Sequence, residues 1–177
     1  MSLYQQVGKI GSKFISKAKL FKYGFNFSPM YRRSTGRIKE VSADLRTVKV
    51  RLPISYKNRN YVNAIFGGSM FSAVDPIPMV QLINLLDENY IVWDKSAEIF
   101  FKRPARENLY AEFYYSEEEL QSIMEGVAAN NEIEIQKTTL LTNRDQTTVF
   151  CEVRKTIYVA DKAYYKQKRK QKNNPQE

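Results

Sequence analysis

The sequence predicts an α+β domain in which a curved antiparallel sheet wraps around one long central helix. Two observations lead there. From Gly67 to Leu86 the chain carries a single charge, Asp75, and its apolar residues fall on every side of a helical projection. Such a helix is buried all round rather than lying on a surface. Segments with two-residue alternation flank it, two before and four after, and that period belongs to strands with one buried face. A sheet curled around the helix buries it along its length.

The elements follow in order. Leu3, Val7, Ile10, Phe14, Ala18 and Phe21 recur at steps of three and four, while Lys9, Lys13 and Lys17 line another face. This predicts an N-terminal amphipathic helix within 1–25. It either docks on its own domain, the favoured reading, or makes peripheral membrane contact through residues 1–23. Strands are expected over 37–43 and 47–54, the second with Val48, Val50, Leu52 and Ile54 on one face. The polar loop Lys57-Asn58-Arg59-Asn60 leads to Gly67-Gly68 and the central helix. Further strands are expected near 90–101, 107–115, 131–142 and 146–160, with Asn143-Arg144-Asp145 turning a long hairpin. Ser116 and Glu119 form a capping-box pattern, which predicts a short surface helix from Glu117 to about Ala129. This order of elements is the hotdog architecture, with its domain over 26–161 and a solvated, frayed basic tail over 162–177.

Composition narrows the chemistry. The 177 residues include no histidine and one cysteine, Cys151. Ser–His and Cys–His catalysis, His-ligated zinc, multi-cysteine metal sites and internal disulfides are therefore excluded. Neither a metal nor another cofactor is expected. Cys151 shares a strand face with Val149 and Val153 and reads as a buried filler. The net charge of +9 sits at the ends. Residues 1–39 hold nine basic side chains and no acid, residues 162–177 hold six basic and one acidic, and residues 40–161 hold 13 basic and 18 acidic. The predicted domain is thus mildly acidic, and no nucleic-acid partner is expected. No secretory signal or span of membrane length is recognisable, so the expected compartment is the cytoplasm.

Phe66-Gly67-Gly68-Ser69-Met70-Phe71-Ser72-Ala73-Val74-Asp75 resembles the motif at the start of the central helix in phenylacetyl-CoA-type hotdog thioesterases. There a Gly-Gly pair opens the helix and a catalytic aspartate follows seven residues after the second glycine. Ala43-Asp44-Leu45-Arg46, Val50-Arg51-Leu52-Pro53, Asp75-Pro76, Val92-Trp93-Asp94-Lys95 and Lys155-Thr156-Ile157-Tyr158-Val159 are similar to a bacterial branch of that superfamily, sometimes labelled tetrameric acyl-CoA thioesterase. The likeness spans roughly residues 20–160. It implies hydrolysis of an acyl-CoA or other acyl thioester by a homodimer or homotetramer. In this family the site lies between subunits, so Gly68 of one copy would face Asp75 of the other. Phe66 departs from the pattern, because many characterised members carry histidine there.

The residues support that chemistry and leave alternatives open. Asp75 can act as base or nucleophile, and the Gly67 and Gly68 backbone at a helix N-terminus can stabilise an oxyanion. Asp75 before Pro76 can equally be a helix cap, with Pro78 adding to a break. Ser69 and Ser72 are candidate substrate contacts or small packing residues. Asn60 and Asn63 are candidate contacts or turn formers. Lys102, Arg103 and Arg106 suit coenzyme A phosphates or form a solvated basic turn. Beside hydrolysis stands a second reading, a non-catalytic module that binds acyl thioesters or lipids.

Overall fold

A computed structural model describes residues 16–173. Much of the predicted N-terminal amphipathic helix, including Leu3, Val7, Ile10 and Phe14, lies outside the described residues. The described chain begins with α1 (Lys17–Phe27) and the single-turn α2 (Pro29–Arg33). Strands β1 (Arg37–Val41) and β2 (Thr47–Leu52) follow, then α3 (Gly67–Val74) and α4 (Pro76–Leu85). Next come β3 (Tyr90–Phe101), β4 (Leu109–Tyr114) and α5 (Glu117–Asn130). The described chain ends with β5 (Glu132–Thr142), β6 (Val149–Asp161) and α6 (Lys162–Asn173).

The six strands form one antiparallel sheet in the order β1-β2-β4-β5-β6-β3. Alternation in β2 turns Val48, Val50 and Leu52 inward, and β4 matches it with Leu109, Ala111 and Phe113. These residues share a core with Met70, Ala73, Val74 and Ile77 of the central helices. A second cluster closes the other end, where Leu82 and Leu86 meet Ile123 and Val127 of α5 and Ile157 and Val159 of β6. The fold is the hotdog arrangement expected from the sequence.

Ser116 caps α5 by accepting from the Glu119 backbone N–H at 3.0 Å, as the capping-box pattern predicts. The tail differs from expectation, since its first twelve residues form α6. Asp161 Oδ1 accepts from the Tyr164 N–H at 2.8 Å and starts the helix. Tyr165 then packs edge-on against Trp93 at 4.9 Å, and Lys168 reaches Glu132 at 2.6 Å. Docking of this aromatic residue holds in place a segment whose charge alone suggested a frayed end.

Candidate active site

The long helix is two helices meeting at Asp75. Pro76 and Pro78 lack the N–H groups that would serve carbonyls one turn earlier, so the ladder opens around them. Buried donors take up carbonyls near the break: Tyr31 Oη donates to Ala73 O at 2.9 Å, and Tyr115 Oη donates to Pro78 O at 3.1 Å. Burial pushes both phenols well above their ordinary range, so they remain protonated donors.

The third donor is a lysine. Lys155 of β6 is 2% exposed, and its Nζ donates to Asp75 O at 2.6 Å and to Asp75 Oδ1 at 2.8 Å. Asp94 Oδ2 of β3 lies 2.5 Å from the same nitrogen. All three ammonium protons therefore have acceptors. Asp75 makes no side-chain capping bond to α4; its carboxylate turns to Lys155 and leaves Oδ2 without a partner among the described residues. Asp94 Oδ1 is buried and has no hydrogen-bond partner among the described residues. Burial lifts the Asp94 carboxyl above its usual range; the Lys155 hydrogen bond and charge pull it back, and the nearby Asp75 charge adds to the rise. The group is two carboxylates around one ammonium, and the Asp75 side chain is 38% exposed.

Strand geometry explains how Lys155 and Asp94 meet. Lys155 occupies an inward position of β6 whose neighbours on that face are Cys151, Val153, Ile157 and Val159. Ala97 of β3 is its register partner, and between Asp94 and Ser96 the register slips, so that Lys95 is an extra residue: Val92 and Asp94 face inward before it, and Ala97 and Ile99 face inward after it. Neither residue stood among the expected site residues. The signal for Lys155 was present as a charge in the middle of an alternating apolar face.

At the start of α3, Phe66 is the capping residue, and no side chain caps the helix. The first backbone N–H groups of a helix have no partner within it, and Gly67 and Gly68 stand at those positions. Two aromatic rings lie over these glycines. A Cβ on Gly67 would sit 2.6 Å from Phe101 Cζ, and one on Gly68 would sit 2.3 Å from Phe66 Cε1. Both rings are largely exposed. The loop carrying Lys102, Arg103 and Arg106 adjoins this point, because the Ile65 N–H donates to Ala105 O at 2.8 Å.

The other expected contacts are placed as follows. Asn60 Oδ1 accepts from the N–H groups of Val62 and Ala64 at 3.1 and 3.0 Å and shapes the loop. Asn63 is exposed with φ of 59°. Ser69 is buried, and Ser72 Oγ donates to Gly68 O at 2.7 Å. Lys102 pairs with Glu152 at 3.1 Å, while Arg103 and Arg106 are exposed. Cys151 is buried, and burial pushes its thiol up to about 11. The structure thus gathers Phe66, Gly67, Gly68, Phe101 and the basic loop at one end of α3, and Asp75, Lys155 and Asp94 at the other. Seven residues of helix, about 10 Å along the axis, separate Gly68 from Asp75. A groove of about 970 Å³ lies on the opposite sheet face, lined by Lys49, Arg51, Tyr110 and Leu140 among others, and contains none of these residues.

Residues 17–159 match the family described as a domain of unknown function, DUF4442. No curated protein sequence matches. Among solved structures, a protein of unknown function from Pseudomonas aeruginosa, named a probable thioesterase, aligns with a TM-score of 0.71 at 17% identity, covering 81% of this chain and 95% of that one. A thioesterase from Haemophilus influenzae aligns with a TM-score of 0.58 at 13% identity, covering 81% and 90%. Zebra fish thioesterase superfamily member 2 aligns at 0.57 with 13% identity, covering 80% and 96%. At these identities the likeness is one of fold, the hotdog fold.

Proposed function

The chain belongs to the DUF4442 family, and on that premise we propose that it hydrolyses an acyl-CoA or related acyl thioester. The observation that carries this reading is the state of Asp75. Its Oδ1 is fixed by a buried ammonium, its Oδ2 has no partner among the described residues, and its side chain is 38% exposed. A carboxylate held in this way can accept a proton from a water molecule on its free side.

In this reading Asp75 takes a proton as the water oxygen bonds to the thioester carbonyl carbon. The carbonyl electrons move to oxygen, and backbone N–H groups at a helix start stabilise that charge. When the electrons return, the carbon–sulfur bond breaks, and the departing thiolate takes the proton back from Asp75. Gly67 and Gly68 of the same copy lie too far along the helix to serve that carbonyl, about 10 Å from Asp75. This reading takes the donors from a second copy, as the resemblance implies, which makes the working unit at least a homodimer. Exposed Phe66 and Phe101 beside the glycines form an apolar wall for the acyl chain, and Lys102, Arg103 and Arg106 sit where coenzyme A phosphates could be met.

The test is a panel of acyl-CoA chain lengths assayed with wild type and Asp75→Asn. Turnover by wild type with a loss of about 10²–10⁴-fold in the variant is expected. Equal turnover by both removes Asp75 from the mechanism. Engagement of Asp75 by Lys155 and the phenylalanine at position 66 favour one second reading, an acyl-thioester or lipid-binding module without chemistry. Saturable acyl-CoA binding with no turnover at any chain length selects it.

A further inference from the structure

Helices α1 and α2 stand at the β1 edge of the sheet, opposite to the β3 edge. Their inward residues, Phe21, Phe25 and Tyr31, join the core. A helix packed on a domain ordinarily turns polar residues outward. Here the outward residues include Tyr23, Phe27 and Met30, exposed to 49%, 72% and 58%. Tyr23 and Phe27 stack along one helical face with ring centroids 6.2 Å apart. Met30 follows directly after the junction of the two helices at Ser28 and Pro29.

The charge around this strip has one sign. Residues 17–39 hold seven cations and no carboxylate. Lys19, Arg32 and Arg33 are exposed, and none of the seven is in an ion pair among the described residues. A polyanion in water would account for the cations but would leave Phe27 and Met30 exposed. A bilayer containing anionic lipid satisfies both, since rings and thioether enter the boundary of headgroups and acyl chains while cations meet phosphates. We propose that the outer face of α1 and α2 is a docking surface for an anionic lipid bilayer, with Tyr23, Phe27 and Met30 inserted and Lys19, Lys22, Arg32 and Arg33 on the headgroups. Self-association through the β3 edge would leave this face free, because the two lie at opposite ends of the sheet.

Co-sedimentation of the full chain with vesicles tests the proposal. The vesicles are phosphatidylcholine alone, or about three parts phosphatidylcholine to one part phosphatidylserine. Wild type is compared with Phe27→Ser/Met30→Ser and Arg32→Gln/Arg33→Gln. Wild type should pellet only with the anionic vesicles and be released by raising salt, and each double variant should bind about tenfold more weakly or worse. Both variants should keep the wild-type melting midpoint, since the altered side chains are exposed. Undiminished pelleting of the Phe27/Met30 variant overturns the proposal, as does equal binding to both vesicle types or none. A drop in oligomeric mass for that variant, read by light scattering, makes the strip a self-interface and overturns it too. So does RNA binding lost only in the arginine variant, without vesicle binding, because the cations then serve a nucleic acid.

Discussion

Lys155 Nζ lies 2.8 Å from Asp75 Oδ1 and 2.6 Å from the Asp75 carbonyl oxygen. One ammonium group thus holds both the side chain and the backbone of the residue at which the central helix breaks. It sits at the one place where the two prolines have opened the helical ladder, and it is itself almost fully buried. Helix break and ion cluster depend on each other.

Removing that ammonium should be costly at neutral pH. Lys155→Met leaves Asp75 and Asp94 facing each other without compensation, and deleting one partner of a buried pair costs about 3 kcal/mol. The deficit should shrink in acid. Burial already raises the Asp94 carboxyl, so its folded form binds a proton more readily than its unfolded form. The stability it contributes is therefore present in full below the ordinary carboxyl range and lost as pH rises through the raised value. In the variant the same proton uptake also relieves the repulsion from Asp75. Urea midpoints for both proteins at neutral pH and at about pH 4.5 should show the gap narrowing. A gap independent of pH would assign the loss to packing rather than charge.

Gly67→Ala separates the proposed chemistry from stability. The added methyl would meet Phe101 Cζ at 2.6 Å, but that ring is the exposed end of a rotatable side chain and can swing aside. Alanine also gains helix propensity over glycine, so the net stability change should stay within about 1 kcal/mol. Thioester turnover should fall, because the methyl or the displaced ring blocks approach to the first N–H groups of α3. Thermal melting and a thioesterase assay on the same samples check this. Unchanged turnover by Gly67→Ala, with Asp75→Asn inactive, would remove the glycine backbone as oxyanion donor.

Periodicity made the sheet and the central helix legible, because strands with one buried face and a helix apolar all round have little freedom in how they pack. The site was legible only in part. Asp-Pro reads equally as a cap and as an isolated carboxylate, and only the direction of the Asp75 side chain, toward Lys155 rather than α4, distinguishes them. Lys155 was readable as a charge inside the Cys151, Val153, Ile157, Val159 face. Its partner was not, since the bulge at Lys95 sets the direction of Asp94 and a bulge leaves no mark in a period-two count. In the tail, the lysines carry the charge pattern of a solvated end, while the contact of Tyr165 with Trp93 docks the helix and has no periodic signature.

Cys151 should be inert in the native protein. It is buried, and its thiol is held up to about 11 by burial first and by the Glu152 charge second. The thiolate is the reactive form, so little is available near neutrality. A thiol reagent at about pH 8 should label Cys151 slowly in buffer and fast in denaturant. Cys151→Ser should leave any thioesterase turnover in place. Rapid native labelling would mean that β6 opens locally near its start.

The docking of α6 should be reported by fluorescence, because Trp93 is the only tryptophan. Its indole stacks on Tyr158 at 5.3 Å and meets Tyr165 of α6 edge-on at 4.9 Å. Glu132 ties the same corner together, accepting from Tyr158 Oη at 2.5 Å and from Lys168 at 2.6 Å. The Lys168 hydrogen bond, and then that of Tyr158, hold its carboxyl below the ordinary range. A depressed acid stabilises the docked state above its unfolded value, about 4.3 for glutamate, and loses that contribution as pH falls through the folded value. Trp93 emission should therefore stay constant from about pH 8 to pH 5 and shift to the red below about pH 4 as α6 lets go. Glu132→Gln should remove this acid step, and a chain ending at Asp161 should show the shifted emission at every pH. An acid step that persists in Glu132→Gln would place the titrating group elsewhere.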